Sequence, residues 1–390
     1  MSEHMNYELQ DVFQQFGTEF RRSYRLPLHH LKTMSRIESC RTSKLGGHID
    51  ECDSCGHLRV SYNSCRNRHC PKCQGLAKER WLLDRVYDLL QVGYFHVVFT
   101  LPDRLNPIAL RNQKEVYSLL FKAAAETLSE LASDPKYLGA QIGFISVLHT
   151  WGQNLMDHPH LHCIVPGGGL SLDGTWVSSR QKFFIPVKVL SKKFRGKFLA
   201  YLKEAYGDDR LKFPGQIESL GRQGNFQSLI DSLYQVGWVV FCKPPFKSPY
   251  HVLRYLGRYT HRVAIANNRI TDISNGQVSF KWRDYKDHNR TKLMTIEANE
   301  FIRRFLLHVL PMKFVKIRHY GILSNRNRNS KLKVCQRLTG SIYRIKSQKL
   351  SVEELLLKLT GFDLRSCPCC SKGKMVRKLE LDPKICSPPI

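Results

Sequence analysis

The chain has 390 residues, 42% of them hydrophobic, which is enough to bury a core and to form two or three domains. Its 61 Lys and Arg against 33 Asp and Glu give a formal net charge of +28, so a polyanion is the expected partner. The N-terminal segment lacks the apolar centre of a signal peptide, and no apolar run approaches the roughly 20 residues of a spanning helix. We therefore expect an intracellular protein with no membrane partner.

The first predicted domain, residues 1–88, is basic and rich in cysteine, with few long periodic elements. Four of its cysteines form two Cys-x2-Cys pairs: Cys52, Cys55, Cys70 and Cys73. Thiolates at this spacing turn two sulfurs toward one ion, so the two pairs predict one closed, structural Zn²⁺ site. Cys65 and His69 are alternative ligands. Arg66 and Arg68 lie beside the second pair, which favours contact with nucleic acid, although a solvated basic face would look the same.

The second predicted domain, residues 89–290, mixes strands and helices. Buried strands are predicted at residues 94–102, 141–150, 160–166 and 236–242. Helices are predicted from Asn106 and from Pro186, and Asn275-Gly276 is a strong hairpin signal. The pattern predicts an α+β fold with a central antiparallel sheet flanked by helices. A zinc-binding domain precedes this fold and a small extension follows it.

The third predicted domain, residues 291–390, is helical and basic. Near its end, SCPCCSKGKM contains Cys367-x2-Cys370, which is half of a zinc site. Cys335, Cys386 or a histidine could complete the site. Unliganded cysteines are the alternative interpretation.

Within the motif HPHLH, which has three histidines, a strand would direct His160 and His162 to one face, because side chains alternate along a strand. His160 and His162 therefore form half of a metal site. An oxygen ligand would commonly complete it, and Gln153 is well placed at the end of the preceding strand. His149 and His158 compete for that role. Mixed nitrogen and oxygen ligands predict Mg²⁺ or Mn²⁺, with open positions for substrate oxygens.

The segment HVLRYLGRYTHR contains Tyr255 and Tyr259, which lie one turn apart on the same face if the segment is helical. Tyrosines at this spacing are common in core packing. Three arginines near them could bind a phosphate and favour a phenolate: Arg254, Arg258 and Arg262. The segment is therefore a candidate for nucleophilic catalysis.

Together these motifs resemble the bacterial rolling-circle transposases of the ninety-one family of insertion sequences, which are His-hydrophobe-His (HUH) endonucleases. The resemblance rests on CRNRHCPKCQ, HTWGQNL, HLH, RYLGRYTHRVAI, EFIRRFLLHVLP and IRHYG, in that order. It spans residues 10–375. It implies the fold of that family, a central antiparallel sheet flanked by helices, and a location in the bacterial cytoplasm with the nucleoid.

The resemblance also implies roles for individual residues. His160 and His162 would bind the catalytic Mg²⁺ or Mn²⁺, and Gln153 matches the third ligand of related replication endonucleases. Tyr255 and Tyr259 would be the paired nucleophiles, with Tyr259 ranked slightly higher because single-tyrosine relatives keep it. The expected reaction is cleavage of single-stranded DNA through a 5′-phosphotyrosine, followed by strand transfer.

Single strands would have to come from outside the chain, because the sequence has no P-loop with which to drive unwinding. A host helicase or the replication machinery is therefore an expected partner. Two other classes of function stay open at this point. A tyrosine recombinase would need no metal and would form a 3′ linkage, and a zinc-ribbon regulator would bind DNA without cleaving it.

Overall fold

The computed structural model describes residues 7–180, 185–246, 264–285, 287–341 and 350–383, and six single positions between them: 251, 252, 255, 257, 260 and 261. The helices are α1 (Leu9–Ser23), α2 (Leu28–Glu38), α3 (Pro71–Val86), α4 (Asn106–Arg111), α5 (Gln113–Ser133), α6 (Val187–Gly207), α7 (Gln223–Gln235), α8 (Ala298–Leu307), α9 (Lys331–Leu338) and α10 (Val352–Thr360). The strands are β1 (Gly47–Cys52), β2 (Leu58–Tyr62), β3 (Tyr94–Thr100), β4 (Gly143–Trp151), β5 (Asp157–Pro166), β6 (Gly168–Leu170), β7 (Trp176–Ser178), β8 (Val240–Phe246), β9 (Ile270–Ser274), β10 (Gln277–Asp284), β11 (Arg290–Glu297), β12 (Ile317–Gly321) and β13 (Met375–Leu381).

A five-stranded antiparallel sheet forms the centre of the fold, with the strand order β12-β4-β5-β3-β8. This arrangement confirms the predicted α+β class and the predicted pairing of β4 with β5. The edge strand β12 was not predicted. It comes from the third predicted domain, so the sheet crosses the boundary that the sequence placed at residue 290.

The two faces of this sheet pack against different elements. One face contributes Phe95, Phe99 and Leu161 to the main core, which α5 and α6 cover. The other face carries Ile145 and Ile164, which pack in a smaller cluster. The histidines of HPHLH belong to this second face, because His160 and His162 alternate with the buried Leu161.

The N-terminal region is more regular than predicted. The expectation of few long periodic elements before residue 85 is wrong, because this region contains α1, α2 and α3. The buried apolar side chains of α1 recur at helical spacing, at Leu9, Val12, Phe13 and Phe20, and this periodicity was a usable signal. Phe13 makes an edge-to-face contact with Phe305 of α8, with ring centroids 5.5 Å apart. The N-terminal helix therefore shares a core with a helix from the third predicted domain.

The hairpin predicted at Asn275-Gly276 is present between β9 and β10. Both turn residues have positive φ, 50° at Asn275 and 73° at Gly276, as a two-residue hairpin turn requires. The helix predicted from Asn106 is interrupted at Asn112, where the backbone leaves the helical region and the side-chain amide contacts the carbonyls of Ile108 and Lys212. The result is two helices, α4 and α5.

Leu161 lies between His160 and His162 and is fully buried in the main core. We expect Leu161→Ala to lower the free energy of unfolding by about 2–5 kcal/mol, because it leaves a cavity in that core. Leu172→Ala is the matched control, since Leu172 is fully exposed and its truncation should change stability by less than about 0.5 kcal/mol. Urea denaturation followed by circular dichroism measures both. Equal stability losses would contradict this packing.

Candidate active site

Three histidines converge on the second face of the central sheet. Ring nitrogens of His149, His160 and His162 all lie within 4.8 Å of one another. His149 on β4 is directly opposite His160 on β5, and His162 follows two residues later on the same face. Strand pairing therefore brings together three imidazoles from two strands, and such a group can hold a divalent cation.

Hydrogen bonds orient two of these rings. The Nδ1 of His160 lies 2.6 Å from the carbonyl oxygen of His158, so Nδ1 carries a proton and donates it. The Nδ1 of His162 lies 2.8 Å from the Nε2 of His96. The Nε2 atoms of His160 and His162 face each other at 3.1 Å. Burial lowers the pKa of His160 to about 4, so this imidazole is neutral and can act as a ligand at neutral pH.

Gln153 lies in the turn that follows β4, two residues after the strand ends. The side-chain N–H of Gln153 donates to the hydroxyl of Tyr285 at 3.0 Å. The backbone carbonyl of Gln153 accepts a hydrogen bond from Arg269. A bulge between His149 and Trp151 shifts the strand register just before the turn that contains Gln153. The geometry therefore favours His149 over Gln153 as the third ligand. His158, the other predicted competitor, contacts His160 through its backbone carbonyl.

A tyrosine reaches this histidine cluster through a fourth histidine. The hydroxyl of Tyr255 lies 3.1 Å from the Nδ1 of His96, whose Nε2 contacts His162. The rings of His96 and His162 are nearly parallel, with an interplanar angle of 9°, as an in-plane hydrogen bond between them requires. Burial lowers the pKa of His96 to about 3, so its ring is neutral. Sequence reasoning missed His96. It is the one histidine in the buried strand Tyr94–Thr100, which is a signal that could have revealed it.

The residues predicted to contact DNA differ in whether the fold leaves them exposed. Arg66 is exposed and available to a partner. Arg68 is not, because its guanidinium donates to the backbone carbonyls of Phe314 at 2.5 Å and Pro311 at 2.8 Å. Arg68 thus joins the cysteine-rich region to the segment before β12, which corrects the predicted role. Four other predicted residues lie outside the described part of the chain: Arg254, Arg258, Tyr259 and Arg262.

The cysteines form two separate clusters, which corrects the predicted grouping of four into one site. The first cluster consists of Cys40, Cys65, Cys70 and Cys73. The second consists of Cys52, Cys55, Cys367 and Cys370. Local spacing identified the pairs, but it could not show which pairs meet. Cys40 was missed because it stands alone after α2, without a Cys-x2-Cys partner.

The first cluster has the dimensions of a four-thiolate zinc site. The sulfur of Cys73 lies 3.6 Å from those of Cys40 and Cys65, and all four sulfurs are within 4.8 Å of one another. A tetrahedron with Zn–S bonds of about 2.3 Å has sulfur–sulfur edges of about 3.8 Å. The backbone N–H of Asn67 also points at the sulfur of Cys65, at 3.5 Å. The donor set therefore fits a structural Zn²⁺.

The fold and these sites define a zinc-binding α+β protein with a histidine cluster on its central sheet. Family models match two regions of the chain: "Transposase zinc-binding domain" of the IS91 type at residues 12–101 and "Putative transposase" at residues 143–331. The chain is 49% identical to "Putative transposase y4qJ" of Sinorhizobium fredii, over 98% of this chain and 97% of that protein. It is 28% identical to "Transposase for insertion sequence element IS801" of Pseudomonas savastanoi pv. phaseolicola, over 76% of this chain and 70% of that protein.

The chain therefore belongs to the IS91 family of insertion-sequence transposases, as the motifs predicted. A transposase processes DNA, so the chain is an enzyme that binds DNA. No solved structure gives a significant match. Among the described residues, no helix combines the length and the apolar character that a membrane span requires.

Substitutions can separate the two candidates for the third ligand. We expect His149→Ala to weaken Mn²⁺ binding by at least about tenfold, because it removes one of three converging imidazoles. Gln153→Ala, the matched control, should leave the affinity unchanged, because the Gln153 amide is bound to Tyr285. Isothermal titration calorimetry on the zinc-loaded protein measures both affinities. A larger loss of Mn²⁺ affinity in Gln153→Ala than in His149→Ala would indicate that Gln153 is the third ligand.

Proposed function

We propose that this transposase cleaves single-stranded DNA at the ends of its element and transfers the strand through a 5′-phosphotyrosine, as an HUH endonuclease in rolling-circle transposition. One observation supports this most strongly. The phenol of Tyr255 is connected through His96 to His162, although Tyr255 lies almost a hundred residues after the histidine pair. A nucleophile and a candidate metal site are therefore neighbours in the fold.

The three-histidine cluster fits a catalytic divalent ion. In this proposal a third nitrogen, from His149, takes the place of the predicted oxygen ligand, because His149 converges with His160 and His162. Magnesium prefers oxygen ligands, so an all-imidazole set makes Mn²⁺ the better choice of the two ions predicted. Such an ion, when bound, would polarise the scissile phosphate as a Lewis acid.

The covalent step exchanges one phosphoester for another. The phenol of a tyrosine gives up its proton, and its oxygen attacks the phosphorus in line while the bond from phosphorus to the 3′ oxygen breaks. The 3′ oxygen takes up one proton and leaves as a hydroxyl, so the loss and the gain of a proton balance. The 5′ phosphate stays on the tyrosine until a 3′-hydroxyl attacks it and restores the DNA backbone. Because the number of phosphoester bonds is unchanged, the exchange is nearly isoenergetic and requires no ATP.

His96 orients and activates Tyr255 in this scheme. If the Nε2 of His162 is a ligand atom, its Nδ1 carries the proton and donates to the Nε2 of His96. The Nδ1 of His96 then carries its own proton and donates to the phenolic oxygen of Tyr255. A donor at this position stabilises the phenolate, which is the attacking form. His96 is thus a positioning residue for Tyr255.

The second nucleophile in the proposal is Tyr259. Its assignment is supported by the family resemblance, in which two tyrosines lie four residues apart. A second tyrosine one turn away permits a second cleavage before the first link is resolved. Exposed Arg66, beside the first cysteine cluster, is available for a phosphate contact, and the cluster itself is the structural Zn²⁺ site of the zinc-binding domain. A host helicase or replication would supply the single strands.

A cleavage assay with labelled single-stranded element ends and Mn²⁺ tests this proposal. We expect wild-type protein to form a covalent adduct with the DNA segment 3′ to the cut, and EDTA to abolish it. Tyr255→Phe and Tyr259→Phe should each remove the adduct at their own position and slow the overall reaction. The double variant should lose at least about 10³-fold in rate. Mass spectrometry of the tryptic adduct identifies the modified tyrosine.

Tyr234→Phe is the matched control, because Tyr234 is exposed on α7, away from the histidine cluster, and its loss should not alter cleavage. An adduct with the DNA segment 5′ to the cut, formed in EDTA, would identify a tyrosine recombinase instead. If both tyrosine variants cleave as well as wild type, the nuclease proposal is wrong.

The role of His96 has its own signature in the pH dependence. We expect His96→Leu to slow adduct formation by about 10–100-fold at neutral pH, since the phenolate loses its donor. The defect should shrink as the pH approaches 10, where a free tyrosine ionises without help. His96→Gln, which keeps an N–H donor, should recover part of the rate. A defect in His96→Leu that is constant with pH would indicate a purely structural effect.

A further inference from the structure

We infer that the chain binds a second structural Zn²⁺, through Cys52 and Cys55 from the N-terminal region and Cys367 and Cys370 from the C-terminal region. The zinc-binding family model ends at residue 101, so it does not include the C-terminal pair. The inference is independent of the cleavage chemistry. It would make the two ends of the described chain one metal-bound unit.

The sulfur positions fit a tetrahedral site. The sulfur of Cys52 lies 3.7 Å from that of Cys370, and the sulfur of Cys55 lies 3.7 Å from that of Cys367. All four are within 4.8 Å of one another. These distances match the edges of a four-thiolate Zn²⁺ tetrahedron, about 3.8 Å, and they are far longer than the roughly 2.05 Å of a disulfide bond.

Backbone N–H groups point at three of the four sulfurs. The pairs are Ser54 N with Cys52 Sγ at 3.4 Å, Cys369 N with Cys367 Sγ at 3.4 Å, and Gly373 N with Cys370 Sγ at 3.3 Å. Such donors stabilise thiolates, which are the ligand form of cysteine. Both Cys-x2-Cys turns are therefore shaped as metal knuckles.

The two knuckles also interlock. The backbone N–H of Asp53 donates to the carbonyl of Lys374 at 3.1 Å, and the N–H of Lys374 donates to the Asp53 carboxylate at 2.8 Å. A Cβ atom on Gly373 would lie 2.3 Å from the sulfur of Cys52, so only glycine allows this approach. The two segments are thus fitted to each other at the sulfur cluster, more than 300 residues apart in the chain.

The strand that follows the C-terminal knuckle needs such an anchor. β13 pairs with β1 along its length, yet most of its side chains are exposed, including Val376 and Leu379. Hydrophobic burial therefore contributes little to holding it. Arg377 on β13 does reach the buried carboxylate of Asp50, at 3.0 Å. A metal bound by both segments would supply the missing stability, because binding requires them to be together.

Three other cysteines in the C-terminal region are not among the four proposed ligands. Cys369 lies between the two C-terminal ligands but is exposed and belongs to neither cluster. Cys335, which the sequence offered as a ligand, is fully buried among apolar side chains near Leu332. Cys386 lies outside the described residues.

The zinc content of the 390-residue chain tests the inference. We expect two Zn²⁺ per wild-type chain by inductively coupled plasma mass spectrometry, one for each four-cysteine cluster. Cys367→Ser/Cys370→Ser and Cys40→Ser/Cys73→Ser should each retain one. Cys369→Ser, the matched control, should retain two. The inference is overturned if Cys367→Ser/Cys370→Ser keeps the wild-type content, or if wild type holds a single ion that Cys40→Ser/Cys73→Ser removes.

A second measurement uses wild-type protein alone, so it does not depend on the variants folding. Amide hydrogen exchange is followed in peptides from β1, β13 and the central sheet, before and after graded removal of zinc by a chelator. We expect exchange in β13 and β1 to rise together while β4 and β5 stay protected. Unchanged protection of β13 after complete zinc removal would refute a metal anchor.

Discussion

The antiparallel pairing of β4 with β5 is the constraint on which the candidate active site depends. It places His149 opposite His160 and leaves His162 on the same face. A slip of one residue would send His160 and His162 into the main core and bring Leu161 to the site. The burial of Leu161 therefore fixes the register of β5 as well as the stability of the core. The chemistry and the hydrophobic core are therefore specified by the same alternation.

Other elements complete the site from a distance. β3 pairs with β5 on the side away from β4, and in doing so it brings His96 between His162 and Tyr255. Arg68 connects the cysteine-rich region to the chain that leads into β12. Each of these contacts joins segments that are distant in sequence. The candidate active site is thus assembled from strands and a helical segment that are distant in sequence.

The sequence revealed what is encoded locally. Three features could be predicted from the sequence alone: the alternation around HPHLH, the hairpin turn at Asn275-Gly276 and the Cys-x2-Cys spacing. The position of Gln153 depends on a bulge after His149 that changes the register, and one sequence carries no sign of such a bulge.

The cysteine grouping failed for a related reason. Cys-x2-Cys spacing determines how two sulfurs of one knuckle converge, but it says nothing about which second knuckle meets them. Cys52 finds its partners more than 300 residues later, through the pairing of β1 with β13. Long-range pairing of this kind also explains why the predicted domain limits separate segments that share a sheet. The only sequence signal for His96, a single histidine in an apolar strand, is weak because such a histidine is more often structural than functional.

The position of β12 has a consequence for biosynthesis. During translation β4 leaves the ribosome long before β12, so its outer edge has no strand to pair with until nearly the whole chain has been made. An open edge of this kind is prone to association with other nascent chains. Slow synthesis would thus prolong the exposure of this edge, and premature termination before β12 would leave it open.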